Sequence, residues 1–370
     1  MKTGRISINK KRIVDAINHQ GVDRIPKMFR ALPKVTENIL VYFNLTKDIK
    51  QNLEILLSNL NADLYSSGAS MGKFTKYNPN YIGENKINSI DHNQFYAWGI
   101  DCNFSEVNSS LTYLVNEDFA KLSTIDEIKN FKSPRIEDFD FDSLINIDLN
   151  LKEKNFLNSG VLNCIFMIAS YLRGTENLMI DLMLNKKLAA YYIDMIGEFA
   201  YELNKKILEK IGSDLDVFRG WDDMAMQTGL MIPHDIFKIF FLKWYKKIYS
   251  ESKKYNLINF FHICGNANEI IPDLIDIGID VLDPIQVSAN SMDLISLKKK
   301  YGKYLCFHGG IDVQKMLPGM SPGEIKAYIN QIEDLFKNEG GIILGPSHEI
   351  TSDTNIENIL AVYRPDLLVN

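Results

Sequence analysis

The stretch Leu257-Ile258-Asn259-Phe260-Phe261-His262-Ile263-Cys264-Gly265 joins a strand signal to a pair of potential ligands. Leu257 to His262 is a short run of strand character, and Gly265 supplies a turn. In extended backbone, residues two apart share a face, so His262 and Cys264 aim at one point. An imidazole and a thiol that converge in this way suit a soft divalent metal. A plainer reading stands beside it: both are core residues at a strand end, and Gly265 serves only the turn.

The flanking sequence repeats one pattern. Lys187 to Ile211 carries Leu188, Tyr192, Met195, Ile196, Phe199, Leu203 and Ile207 at helical spacing and stops at Gly212, after which Asp216 to Gly220 reads as a strand. Pro233 stands near the start of another amphipathic helix, through Phe237, Phe241, Trp244, Ile248 and Tyr249. Beyond the Leu257 to His262 strand come a helix from Ala267 to Ile277 closed by Gly278, a strand ending at Val281-Leu282-Asp283-Pro284, and a helix from Met292 to Tyr301. A strand from Tyr304 to His308, a helix from Pro322 to Asn338 and a last strand from Gly341 to Gly345 complete the series. Five strand and helix units in a row predict a parallel sheet.

Where the polar residues fall favours a closed barrel over an open sheet. Asp222 and Asp223 follow the first of these strands, His262 and Cys264 the second, Asp283 the third, His308 to Asp312 the fourth, and Ser347 and His348 the fifth. In a (β/α)8 TIM barrel all strand C-termini meet at one face, so such residues converge on one cavity. An open doubly wound sheet gathers fewer of them. The expected fold class is therefore α/β, with residues 1–370 as one barrel domain. Its regular units run over about residues 151–370, and capping helices and loops fill the Asn-, Lys- and Asp-rich part before them. A Gly-x-Gly-x-x-Gly after a strand and a Gly-Lys-Ser/Thr phosphate loop are both absent, and no internal repeat is found.

Composition narrows the function classes. At 370 residues and 46% hydrophobic content, the chain can bury a large core. A net charge of −6 with interspersed signs leaves no basic stripe for nucleic acid. No apolar run approaches the roughly 20 residues of a membrane span, and the first residues lack a signal-peptide core, so a cytoplasmic location is expected. Four scattered cysteines, Cys102, Cys164, Cys264 and Cys306, are expected to be reduced thiols, with Cys306 a core residue.

Several motifs, in order, resemble the uroporphyrinogen decarboxylase superfamily. They are Lys11 to His19 with Asp23-Arg24-Ile25-Pro26, Trp98-Gly99-Ile100-Asp101, Leu172-Arg173-Gly174, Asp222-Asp223, His262-Ile263-Cys264-Gly265, Gly309-Gly310-Ile311-Asp312 and Asn358. The resemblance runs from about residue 10 to about residue 365 and implies a (β/α)8 barrel of the decarboxylase type. It also implies one of two chemistries. The decarboxylases bind a polycarboxylate with paired N-terminal arginines and hold pyrrole NH groups with an aspartate on an early strand. Here Met28-Phe29-Arg30-Ala31-Leu32-Pro33-Lys34 offers Arg30 alone, and Asp63-Leu64-Tyr65-Ser66-Ser67-Gly68 has serine where that aspartate is expected. A polyanion site needs several fixed cations, and neutral hydroxyls are weaker acceptors than a carboxylate.

The other branch comprises corrinoid-dependent methyltransferases, whose zinc site combines His-x-Cys with a distant third cysteine. In that branch zinc holds a substrate thiol such as coenzyme M as thiolate for attack on methylcobalamin. His262 and Cys264 match the first two ligands. The third position falls in Gly345-Pro346-Ser347-His348-Glu349, which has no cysteine, and His348, 84 residues beyond Cys264, is the substitute. Asp222 or Asp223 would complete four ligands. The decarboxylases also place a substrate-side histidine at the position of His348, and a paired-carboxylate loop can simply cap a helix.

The resemblance to the methyltransferase branch implies transfer of a methyl group between a corrinoid, borne on a partner protein, and a small metal-activated substrate. Zinc would sit on His262, Cys264 and His348. Asp222, Asp223 and His348 would position groups or move protons, with Arg30, Gln227, His308 and Ser347 as substrate contacts. Met224, Met226 and Met231 suggest an adaptable apolar wall at the mouth. The alternatives are a decarboxylase acting on another tetrapyrrole, and a noncatalytic corrinoid- or tetrapyrrole-binding protein.

Overall fold

Nine short strands run parallel among the described residues of the structure, a computed structural model that describes residues 7–66, 74–76, 78–83, 95, 97–105, 110–144, 156–159 and 164–368. They are β1 (Met28–Arg30), β2 (Leu64–Ser66), β3 (Phe74–Lys76), β4 (Phe156–Ser159), β5 (Val217–Trp221), β6 (Ile258–His262), β7 (Val281–Ile285), β8 (Cys306–Ile311) and β9 (Ile342–Pro346). Strands β3 to β9 form one sheet in chain order, and β1 pairs with β2. Parallel bridges Lys27 to Leu344 and Ala31 to Ile350 set β1 beside β9. The order is that of an α/β barrel; among the described residues no pairing joins β2 to β3.

Alternation along the strands sorts their side chains into two cores. Val217, Phe260, Val281, Cys306 and Ile343, with Met28 and Leu64, form an inner apolar cluster, which Ile13 and Ile17 of the helix Ile8–Ile17 close from below. Their neighbours Phe29, Phe218, Phe261, Leu282, Phe307 and Leu344 point the other way and pack under the surrounding helices. A period of two is the cause. Cys306 is thus the core residue expected. The helix Lys186–Ile211 and the strands of the second half fall close to their predicted places.

Three differences have physical reasons. The strand predicted to stop at His308 continues through Gly309 and Gly310, whose φ angles are +120° and +88°. A Cβ at Gly309 would lie 2.7 Å from the Ile285 nitrogen, so glycine lets β7 and β8 approach where it looked like a stop. Residues 267–277 split into a 3-10 turn, Asn268–Ile270, and a short helix, Ile271–Asp276, with Pro272 in its first turn. The N-terminal part supplies β1, β2 and β3, each too short for its alternation to show in the sequence. No described helix is long and apolar enough to cross a membrane.

A buried ion cluster fastens the floor helix to the sheet. Asp63, just before β2, accepts hydrogen bonds from Arg12, from Arg24 at 2.7 and 2.9 Å, and from the Lys27 N–H at 3.0 Å. Its side chain has no exposed surface. Asp63→Ala leaves Arg12 buried without that partner and is expected to destabilise the fold by about 3–5 kcal/mol, read from the urea midpoint. Removing the exposed Lys11, which pairs with Asp15, should cost under about 1 kcal/mol. Arg12 also binds Asp23, and that hydrogen bond holds the Asp23 carboxyl at about 2 instead of 3.8. Its folded value is depressed, so its stabilisation is complete above pH 4 and fades as pH falls toward 2. Asp23→Asn should flatten that part of the acid-unfolding curve; an unchanged curve would contradict the assignment.

Candidate metal centre at the strand ends

Two residues beyond the inner apolar cluster, the same strands turn polar. Arg30 follows Met28, Arg219 follows Val217, His262 follows Phe260, Asp283 follows Val281 and His308 follows Cys306. The period that hides Val217 and Phe260 in the floor therefore lifts these side chains into the barrel above it, toward the C-terminal face. Asp283 stands directly opposite His262 in the β6–β7 register.

Asp283 organises this layer. One carboxylate oxygen lies 2.5 Å from His308 Nδ1; the other lies 2.9 Å from His262 Nδ1 and accepts from Arg219 Nη2 at 2.5 Å. Burial works against its charge, since Asp283 is 2% exposed, but Arg219, His308 and His262 outweigh it and hold the carboxyl well below the usual range. An ionised carboxylate only accepts, so each imidazole donates its Nδ1–H to it. Arg219 Nη2 also lies 3.0 Å from His262 Nδ1, a contact of two donors on one shared oxygen. His262 resists charge through burial, but Asp283 and then Cys264 lift it to about 10.

With Nδ1 committed, Nε2 of His262 faces Cys264, 3.6 Å from its Sγ. Asp223 joins them: ligand atoms of Asp223, His262 and Cys264 all lie within 4.8 Å of one another. A tetrahedral ion with metal–S near 2.3 Å and metal–N near 2.0–2.1 Å separates those two donors by about 3.5 Å. The N, S and O donor set and its spacing fit zinc, and three protein ligands leave a fourth position open, the pattern of catalytic sites.

Loop contacts fix the three. The Cys264 N–H donates to Asp223 Oδ1 at 2.8 Å, which ties the residue after β6 to the loop after β5. Gly265 has φ +90°, and a Cβ there would meet the Met226 carbonyl oxygen at 2.7 Å. Only glycine allows the two loops to touch here, and the Asn266 N–H then donates to Met226 O at 2.8 Å. The Gly265 N–H donates to Gln286 Oε1 at 2.5 Å, which adds the loop after β7.

Other expected site residues fall elsewhere. Asp222 is not beside Asp223 in function: it has no exposed surface, and its carboxylate accepts from the Phe166 and Met167 N–H groups, at 2.7 and 2.9 Å, and from the Tyr245 hydroxyl. Burial pushes it up to about 8 against those donors. It braces the start of the helix Ile165–Arg173, and both oxygens are spent there, which corrects its expected catalytic role. His348, exposed on the loop after β9, stands outside the group of Asp223, His262 and Cys264. Gln227 sits exposed on the β5 loop with its carbonyl accepting from the Asn290 N–H at 2.9 Å, and Met224 is core, with Met226 exposed. Arg30 Nε, His308 Nε2 and Ser347 Oγ are buried polar atoms without a hydrogen-bond partner among the described residues. Ser67 and Gly68 lie outside the described residues. Sequence reasoning placed Asp283 among the strand-end residues that converge on the cavity without giving it a specific task, and gave Arg219 none; the signal for both was a charge two places after an apolar residue in each strand.

Motifs that carried the resemblance also brace the fold. Arg173 binds Asp181 at 2.7 Å and the carbonyls of Ala120 and Leu122, each at 2.6 Å, and Asn358 donates to the carbonyls of Leu317 and Met320 at 2.7 and 2.9 Å.

Comparison with known proteins agrees with this frame. A search of curated proteins gave no match. A solved methyltransferase from Methanosarcina mazei is 18% identical, aligns over 98% of both chains and superposes with a TM-score of 0.59, a likeness of fold. A D-psicose 3-epimerase from Clostridium cellulolyticum H10, solved with D-tagatose, aligns over 56% of this chain and 80% of its own at 11% identity, with a TM-score of 0.29, too low to bear on the fold. The family model "Uroporphyrinogen decarboxylase (URO-D)" matches residues 96–364, a span that holds β4 to β9 and all three members of the ligand group, and the chain accordingly belongs to that family.

Proposed function

We propose that the protein is a methyltransferase of this family, moving a methyl group between a corrinoid, carried by a partner protein, and a small substrate whose heteroatom is activated by zinc on Asp223, His262 and Cys264. The observation that carries this reading is the convergence of those three donors, within 4.8 Å, at the strand ends. The fold shared with the Methanosarcina mazei methyltransferase supports it, as does the His-x-Cys resemblance. When bound, the zinc ion supplies a Lewis acid that keeps a thiol or similar group ionised at neutral pH.

The chain's own residues have distinct tasks in this scheme. Asp223 accepts the Cys264 N–H and so sets the thiol's approach. Arg30, His308 and Ser347 are the substrate contacts, because each has a buried polar atom that a bound molecule can satisfy. His348, exposed on the loop after β9, serves at the substrate rim and not as a ligand. A porphyrinogen with eight carboxylates fits poorly, since Arg30 is the only arginine where a pair is expected in the N-terminal motif.

Protein purified without chelator should contain about one zinc per chain, and Cys264→Ser less than about a tenth of that, read by elemental analysis. Equal zinc in both proteins would contradict the ligand set. With methylcobalamin as donor and coenzyme M as acceptor, loss of the methyl–cobalt absorbance should be catalysed, and Cys264→Ala should slow it by at least about 100-fold. Decarboxylation of uroporphyrinogen without any methyl transfer would overturn the reading.

A further inference from the structure

Nothing in the ligand group explains why His262 presents Nε2, and not Nδ1, to Cys264; the explanation lies one residue farther out. His262 Nδ1 is 2.9 Å from Asp283 Oδ2, across the ring from Nε2 and its 3.6 Å approach to Sγ. Asp283 cannot turn away, because Arg219 holds the same oxygen at 2.5 Å and His308 holds the other at 2.5 Å. Three side chains, from β5, β7 and β8, thus lock the orientation of the imidazole that β6 presents. A carboxylate on the far nitrogen fixes the ring of a metal-binding histidine and strengthens it as a donor.

From this geometry we infer that Asp283 is the positioning residue of the centre, and that, clamped by Arg219 and His308, it sets the zinc affinity of the Asp223, His262 and Cys264 group. The inference rests on the metal reading above and adds a determinant that touches neither metal nor substrate. Asn at position 283 retains an oxygen able to accept from His262, whereas Ala retains none, so the two substitutions should differ in degree.

The test is Zn2+ titration of metal-free protein against a chromophoric chelator. Asp283→Asn is expected to weaken zinc binding about 10-fold and Asp283→Ala up to about 100-fold. A purely structural role for Asp283 predicts no such grading among the folded variants. Equal affinity in wild type and Asp283→Asn would overturn this inference alone; absence of zinc binding by the wild type would overturn the functional reading with it. If the variants do not fold, zinc-loaded wild type labelled with 15N-histidine decides the matter. Its His262 should show a protonated Nδ1 and a metal-shifted Nε2, and coordination through Nδ1 would refute the role of Asp283.

Discussion

A carboxylate charge held inside a barrel is the constraint on which the rest of this structure turns. Asp283 is 2% exposed and ionised, a state tolerated only because Arg219, His262 and His308 converge on its two oxygens. That convergence demands four neighbouring parallel strands in fixed register, each delivering one side chain inward. The shape of the sheet and the chemistry at its mouth are therefore one problem. A slip of one residue in any of these strands would turn its charged member out among the helices and bring its aromatic or aliphatic neighbour in.

The barrel divides by height into a floor that stabilises and a rim that binds. Below, the inner apolar cluster is sealed by the helix Ile8–Ile17 and pinned by Asp63 with Arg12 and Arg24. Above, the polar layer leads to loops that reach one another through Gly265, so that Cys264 and Asp223 come from different strands yet meet. Asp222 and Asp223 show how sharply one position matters: one is buried against a helix start, and its neighbour joins the ligand group.

Much of this was legible in the sequence, and the misses have causes. The second-half strands and helices stood out because they are long enough to show their period, and His262 with Cys264 was readable because spacing along one strand is a local property. The third member of the group was not local. Family resemblance pointed to His348 on the loop after β9 as the third donor, with Asp222 or Asp223 as a fourth, whereas the loops packed at Gly265 bring Asp223 beside His262 and Cys264 and leave His348 outside that group. The β1 to β3 segments are three residues each, too short for alternation to register. Arg219 and Asp283 were visible as charges within strands, but their pairing across β5 and β7 depends on sheet order, which no linear pattern states.

Zinc-edge X-ray absorption of the loaded protein tests the central claim most directly, since it reports the donors around the ion without reference to any substrate. The account predicts one sulfur at about 2.3 Å with nitrogen and oxygen donors at about 2.0–2.2 Å completing the shell. A shell without sulfur, or one with several, would contradict a centre built from Asp223, His262 and Cys264.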